Sequence, residues 1–468
     1  MATSKVVDYF LELAKIPHCS GEEKQISDYL VQFAEQRNLK VIQDDALNVI
    51  IYKPASPGYE DKPAIILQGH MDMVCVKLDE LDFDFATQPL PVVIDGDTIK
   101  TEGTTLGADN GIAVAMAMAI LDDNTLDHPP IEVLITTDEE VGLLGAASVD
   151  GSLFQGKTLI NLDSESEGIF LTGCAGGVRN VIEIPVNYIK PKNQLAYQLR
   201  IYGLAGGHSG VEIDKNRANS NKLLGRVLSE LKEIEIASVS GGEKMNAIAK
   251  QSFATIVSNE DISDQIDQLA AVFQKEYAES DPGLHVMITP VDVPDKVLDA
   301  ESAQRVIGLL NLVPQGVQAM SQHFPGLVET STNFGVLLSE DDVVKFESAH
   351  RSSVESKKKV LIDQFEYLAQ AFGGTAITQG NYPGWEYNPD SKIRELFKQT
   401  YLQITGQEAV TTAIHAGVEC GILQDKIGQL DMISLGPNMA DVHTPFESLS
   451  ISSSKKTYDL LVDVLKRL

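Results

Sequence analysis

Apolar residues recur at helical spacing in VVDYFLELAKI (6–16) and in GEEKQISDYLVQFAEQRN (21–38), with charged residues filling the water-facing positions, so both stretches predict amphipathic helices. The spacing then gives way to short unbroken apolar runs. AIILQ (64–68), IEVLITT (131–137), KTLINL (157–162) and DMISLGP (431–437) predict buried strands. The apolar GIAVAMAMAILDD (111–123), KIRELFKQTYLQI (392–404) and the closing SKKTYDLLVDVLKRL (454–468) predict helices between and after them. Alternating strands and helices imply a mainly parallel sheet covered on both faces.

Between roughly 180 and 380 the pattern changes. AYQLRIYG (196–203), KMNAIAKQSFATIVS (244–258) and LHVMITPVD (284–292) alternate apolar with polar residues, as half-buried antiparallel strands do. SNKLLGRVLSELK (220–232) and SDQIDQLAAVFQKEY (263–277) predict helices between them. A similar order recurs from ESAQRVIGLLNLV (301–313) through VETSTNFGVLLS, VVKFESAHRSS and KKKVLIDQFEYLAQAF to TAIT (375–378), which predicts a duplicated layout. The expected architecture is an α/β domain in two segments, 1–178 and 382–468, interrupted by an inserted α+β lid or dimerisation domain at 179–381.

Length supports two cores, since 468 residues exceed what one core usually organises. The net charge of −30, from 37 basic and 67 acidic residues, disfavours nucleic acid and anionic membranes as partners. Metal cations and small ligands suit it better. The four cysteines are too few and scattered for a disulfide framework, and no CxxC pair offers a thiolate metal site. The first residues lack a signal-peptide core, and IAVAMAMAI (112–120) is too short to cross a bilayer, so a soluble cytoplasmic protein is expected.

In open α/β sheets ligands bind beyond the carboxyl ends of the strands, so the residues just past each predicted strand carry information. GHMD brings His70 and Asp72 after AIILQ, and LGADNG places Asp109 at the start of the apolar helix. DEEVG supplies Asp138, Glu139 and Glu140, KTLINL delivers Asp163, and NMADVH after DMISLGP supplies His443. Taken singly, Asp109 reads as a helix cap and the two glutamates as a solvated first turn. Taken together they gather at one rim, and such a crowd of carboxylates repels itself unless cations join it. Histidine and carboxylate donors without cysteine suit Zn²⁺, with Mn²⁺ or Co²⁺ as substitutes. The set exceeds the needs of one ion and fits a pair bridged by one carboxylate.

The ordered series HMD, GADNG, DEEVG, LD and a late His resembles the co-catalytic zinc peptidases that include carboxypeptidase G, acetylornithine deacetylase and tripeptide aminopeptidase. GCAGG, GGHSG, MNAIA, TNFG, HRSS and HAGVECG are similar to the aminoacyl-histidine dipeptidases within that family. The resemblance implies two Zn²⁺ per chain, one held by His70 and Asp163 and the other by Glu140 and His443, with Asp109 as bridge. It makes Glu139 the general base for attack by a metal-bridged hydroxide. It also gives His208 to the oxyanion, and Arg351, Asn333, Glu419 and Asn246 to the substrate. Asp72, one strand period from His70, would hold that imidazole by its other nitrogen. A cytosolic homodimer hydrolysing unblocked dipeptides of the Xaa-His type, carnosine among them, is the expectation. A deacylase or tripeptidase of the same family, or a non-enzymatic metal-binding protein on this fold, are the rivals. No GxGxxG or GxxxxGK[ST] follows a strand, which argues against a nucleotide site.

Overall fold

A computed structural model describes residues 4–468, which form two compact units. The first contains the chain up to Cys174, Trp385–Ala413 and Val418–Leu468; the second contains Ala175–Gly384 and takes back Ile414–Gly417.

In the first unit the central sheet has eight strands, with Ile131–Thr136, Ile65–His70, Thr158–Asn161 and Asp431–Ser434 side by side and parallel. These are the four runs that the apolar pattern marks as buried strands. Antiparallel Lys40–Gln43 and Val49–Lys53 extend one edge, and Ile169–Cys174 and Val410–Ile414 the other. The helix Ala108–Asp122 is buried along nearly its whole length, as its unbroken apolar sequence requires. Its last carbonyls have no partner within the helix. Buried Lys53 serves them instead, its Nζ donating to the carbonyls of Ile120, Leu121 and Asp123 at 2.6–3.2 Å. The same helix explains the glycine of GHMD. A Cβ on Gly69 would lie 2.5 Å from Asn110 Oδ1 and 2.7 Å from the Ala113 Cβ, so only glycine lets strand and helix approach this closely. The strand also runs two residues beyond AIILQ, so His70 is its last residue rather than the start of a loop.

The second unit contains one long antiparallel sheet whose order resolves into two similar halves. One half runs strand Leu195–Tyr202, helix Ser220–Glu230, strands Glu235–Gly241 and Ser252–Ser258, helix Ser263–Glu276, strand His285–Val291. The other runs strand Gly176–Pro185, helix Ala300–Leu312, strands Val328–Ser339 and Val343–Ser352, helix Glu355–Ala371, strand Thr375–Tyr382. In each half the first strand lies between the third and the last, and the halves join where Glu235–Gly241 pairs with Val328–Ser339. The duplication is therefore one of topology, with the first half inserted into the second after its opening strand. A two-residue ribbon, Tyr188–Ile189 against Val297–Leu298, closes the base of the insertion.

Two expectations change. KMNAIAKQSFATIVS is a strand only over Ser252–Ser258, and Met245–Ala249 is an irregular loop. Cys19 and Cys75 form a disulfide, whereas Cys174 and Cys420 are free and buried. Spacing along the chain gave no hint of that pairing, because the partners meet only through the bridge between Cys19 and Met73 that folding creates.

Candidate metal centre

The four parallel strands end at one rim, and each delivers a donor there. Asp109 sits at the centre. Its Oδ1 lies 3.2 Å from His70 Nε2, and its Oδ2 lies 3.2 Å from His443 Nε2. Asp163 Oδ1 stands 3.5 Å from the first imidazole, and Glu140 Oε1 stands 2.7 Å from the second. The donors therefore fall into two groups that share one carboxylate. One donor atom each from His70, Asp109 and Glu140 lies within 4.8 Å of the others. The Asp109 side chain makes no cap on the helix and turns to the two histidines instead. The His443 loop is exposed and carries positive φ at Asp441 and His443.

Asp72 is fully buried behind His70. The Nδ1 of His70 lies 3.0 Å from the Asp72 carbonyl and 3.3 Å from its Oδ1, which leaves Nε2 directed at the other donors. The Asp72 carboxylate does further work. It accepts the amides of Glu139 at 3.0 Å and Glu140 at 3.2 Å, and the hydroxyl of Ser20 at 2.8 Å. One side chain thus fixes the ligand strand and the DEEVG turn together.

The electrostatics show what the pocket lacks. Burial, reinforced by Asp163, Glu419 and Glu140, pushes the Glu139 carboxyl up to about 9 even with His70 opposing it. Burial likewise raises Asp163 to about 7, with Asp109 and Glu140 adding to it, and Glu419 to about 7. Hydrogen bonds to Asp109 and Glu140 raise His443 to about 10. Burial opposes ionisation of Asp109, but His443 and His70 hold its carboxyl well below the usual range. Imidazoles forced to stay charged and carboxyls forced to stay neutral describe a site short of positive charge. Divalent cations would supply it, and the oxygen and nitrogen donors present fit Zn²⁺, Mn²⁺ or Co²⁺.

Glu419 is fully buried in the same unit; Thr136 Oγ1 and the Gln68 amide donate to its Oε2, while Oε1 has no partner among the described residues. Gln68 is itself held by Asn161, whose amide donates to its Oε1 at 2.6 Å.

The remaining expected residues, His208, Asn246, Asn333 and Arg351, belong to the second unit. The His208 Nδ1 accepts from the amides of Gly210 and Val211 at 3.2 and 3.3 Å, so Nε2 is the nitrogen free to carry a proton. Burial and the neighbouring Arg351 lower the pKa of His208. Together with Asn246, His208 lines a cavity of about 370 Å³. The Asn333 amide donates to the carbonyls of Met245 and Ala247, both at 2.8 Å, so it shapes the loop that bears Asn246. Arg351 donates to the Tyr382 hydroxyl at 3.2 Å and has no carboxylate partner among the described residues. Buried His415, not singled out by the sequence, contacts the Ser331 hydroxyl at 2.7 Å, and burial followed by Arg351 and His208 lowers it to about 3.

Sequence patterns also missed Ser20, Glu23 and Glu447. SGEE reads as a helix start, yet the Glu23 side chain accepts from the Asp138 amide at 3.1 Å and makes no cap on the helix behind it.

Fold and donor set together define a class: α/β proteins with a candidate metal centre at the carboxyl ends of a parallel sheet. The model for Peptidase family M20/M25/M40 matches residues 66–467, and the chain belongs to that family. It is 36% identical to a cytosol non-specific dipeptidase of Escherichia coli K12, over 98% of this chain and 97% of the relative. The solved aminoacylhistidine dipeptidase of Vibrio alginolyticus is 34% identical and superposes with a TM-score of 0.92 over 100% of this chain and 97% of its own. An aminopeptidase from Bacillus cereus, 16% identical, shares the fold at a TM-score of 0.56 over 100% of this chain and 98% of its own.

Proposed function

We propose that the chain is a metal-dependent dipeptidase that cleaves the peptide bond of unblocked dipeptides, Xaa-His dipeptides such as carnosine among them, with activity towards other dipeptides as well. The carrying observation is the shared carboxylate: Asp109 stands 3.2 Å from each of two histidines, and each histidine has its own further carboxylate. Two Zn²⁺ per chain fit there, held by His70 with Asp163 and by His443 with Glu140. The pair would polarise the peptide carbonyl and make a water acidic enough to deprotonate near neutral pH. Glu139 takes the proton of the attacking water and delivers it to the leaving nitrogen. Asp72 keeps the His70 ring in place.

The substrate's ends have matching groups. Glu419, whose Oε1 has no partner among the described residues, suits the free ammonium, and the Arg351 guanidinium, with no carboxylate partner among them, suits the carboxylate through a bidentate fork. His208 Nε2 serves the oxyanion. Asn246, on the loop shaped by Asn333, contributes a further polar contact. The names of the Escherichia coli and Vibrio alginolyticus relatives support the substrate class, and the former supports a cytosolic enzyme. No helix among the described residues is long and apolar enough to cross a membrane. We take the working form to be a homodimer, which sedimentation would check.

Metal analysis of purified protein combined with a substrate panel tests the proposal. Two divalent ions per chain and cleavage of Xaa-His and other dipeptides are expected. Preference for N-acetyl amino acids or tripeptides would overturn the dipeptidase assignment, and full activity after exhaustive chelation would overturn the metal-dependent mechanism.

A further inference from the structure

The start of any helix leaves amide hydrogens without intrahelical partners, and the segment that carries Asp109 has four in a row to satisfy. Gly107 has a left-handed φ of 68°, and Asp109 and Asn110 depart from helical geometry. One side chain accepts all four. Glu447 is 2% exposed; its Oε2 accepts from Leu106 N at 2.7 Å and Gly107 N at 3.1 Å, and its Oε1 from Ala108 N at 2.8 Å and Asp109 N at 3.3 Å. Glu447 also lies one turn after His443. The segment holds two consecutive turns, one closed by the Thr444 amide on the Asp441 carbonyl at 3.2 Å and the next by the Glu447 amide on the Thr444 carbonyl at 3.1 Å.

We propose that Glu447 is a positioning residue of the metal centre, its carboxylate fixing the Leu106–Asp109 backbone so that Asp109 presents one oxygen to His70 and the other to His443. This rests on the assignment of those three residues to metal. A carboxylate with a separate partner on each oxygen tolerates little rotation, so the backbone beneath it must be held. Four donors call for four lone-pair sites, which an ionised carboxylate has. Glutamine keeps one carbonyl oxygen and turns an NH₂ towards two of the amides. Because Glu447 also anchors the segment of His443, one group sets the spacing of two donors that are far apart in sequence.

Glu132 provides a control of the same kind elsewhere. Also buried, it accepts the amides of Gln155 at 3.0 Å and Gly156 at 3.0 Å, but it lies near the start of its strand, whereas His70 pairs with Thr136 at the strand's end. Removing it takes away a buried clamp without touching the donors.

Calorimetric Zn²⁺ titration of the metal-free full chain, with its thermal melt, separates the possibilities. For wild type two sites are expected, and Glu447→Gln should weaken one of them by ~10–100-fold. Glu132→Gln should melt earlier but bind both ions as wild type does. A folded Glu447→Gln variant with two wild-type affinities would overturn the proposal. If that variant does not fold, Glu447→Asp, which keeps the charge and shortens the reach, is judged by the same two outcomes; failure of both to fold makes Glu447 a stability residue and also overturns it. Fewer than two ions on the wild type would instead sink the metal assignment itself.

Discussion

The histidines of the candidate metal centre and the buried histidines of the second unit sit in opposite environments. In the first, His70 and His443 stand among carboxylates and are driven towards the charged form; burial opposes this at His70, but Asp163, Asp109 and Asp72 outweigh it. In the second, His350 and His415 are buried away from carboxylates, and burial lowers both to about 3. The charge that acts on both His415 and His208 is positive, from Arg351. The first unit gathers carboxylates around its two histidines, whereas the second holds Arg351 with no carboxylate partner among the described residues. A chain with net charge −30 does not have these properties by composition; they are set by which residues each fold brings together.

The comparison breaks most visibly at Glu139. Glu139→Gln keeps the size and removes the base, so kcat should fall by ~10²–10⁴-fold while elemental analysis still finds both ions. Near wild-type turnover would move the chemistry away from the acid-rich unit. Asp72→Asn is expected to have the next largest effect. It weakens the acceptor shared by Glu139 N, Glu140 N and Ser20 and loosens His70, for a loss of ~10–100-fold in metal affinity or kcat. Unchanged affinity and turnover would reduce Asp72 to a packing residue.

In the second unit the expected effect is on binding. Arg351→Lys keeps the charge but loses the fork, and a weakened charged contact of about 1 kcal/mol raises KM for dipeptides about fivefold at constant kcat. A fall in kcat with KM unmoved would place Arg351 in the chemical step instead.

How far the sequence disclosed this division depends on what each residue acts through. GHMD, DEEVG and LD each come after a predicted strand and LGADNG opens a predicted helix, so strand polarity and one helix start together suggested a common rim. Ser20, Glu23 and Glu447 act on backbone amides or on a distant side chain, and Glu447 reaches Leu106 across 341 positions. No local pattern encodes such a contact. The Cys19–Cys75 disulfide was unreadable for the same reason, because it depends on a loop crossing that exists only in the fold. Alternation disclosed the strands of the second unit but not their order. The order is what shows the two halves to be alike, and the irregular Met245–Ala249 loop needed Asn333, which is 88 residues from Met245.

The smallest effect on activity, and the sharpest separation of the two histidine environments, is expected at His350. Its Nδ1 contacts the Thr332 hydroxyl at 2.8 Å, its ring packs edge-on to Phe365, and no carboxylate among the described residues offsets its burial. Its pKa is about 3 in the fold and about 6.5 in the unfolded chain, so between those values the unfolded state binds the extra proton. Stability of the second unit should therefore fall as pH drops below about 6.5, by about 1.4 kcal/mol per pH unit for this one group. His350→Gln removes that proton. Urea unfolding between pH 6 and pH 4 should show a slope flatter by about that amount, with kcat and KM changed less than about twofold. In the metal-free chain the sign reverses at His443, whose raised pKa favours the charged form. A His350→Gln variant with the wild-type pH slope would mean that His350 is already charged in the folded protein, and the contrast between the two units would not hold.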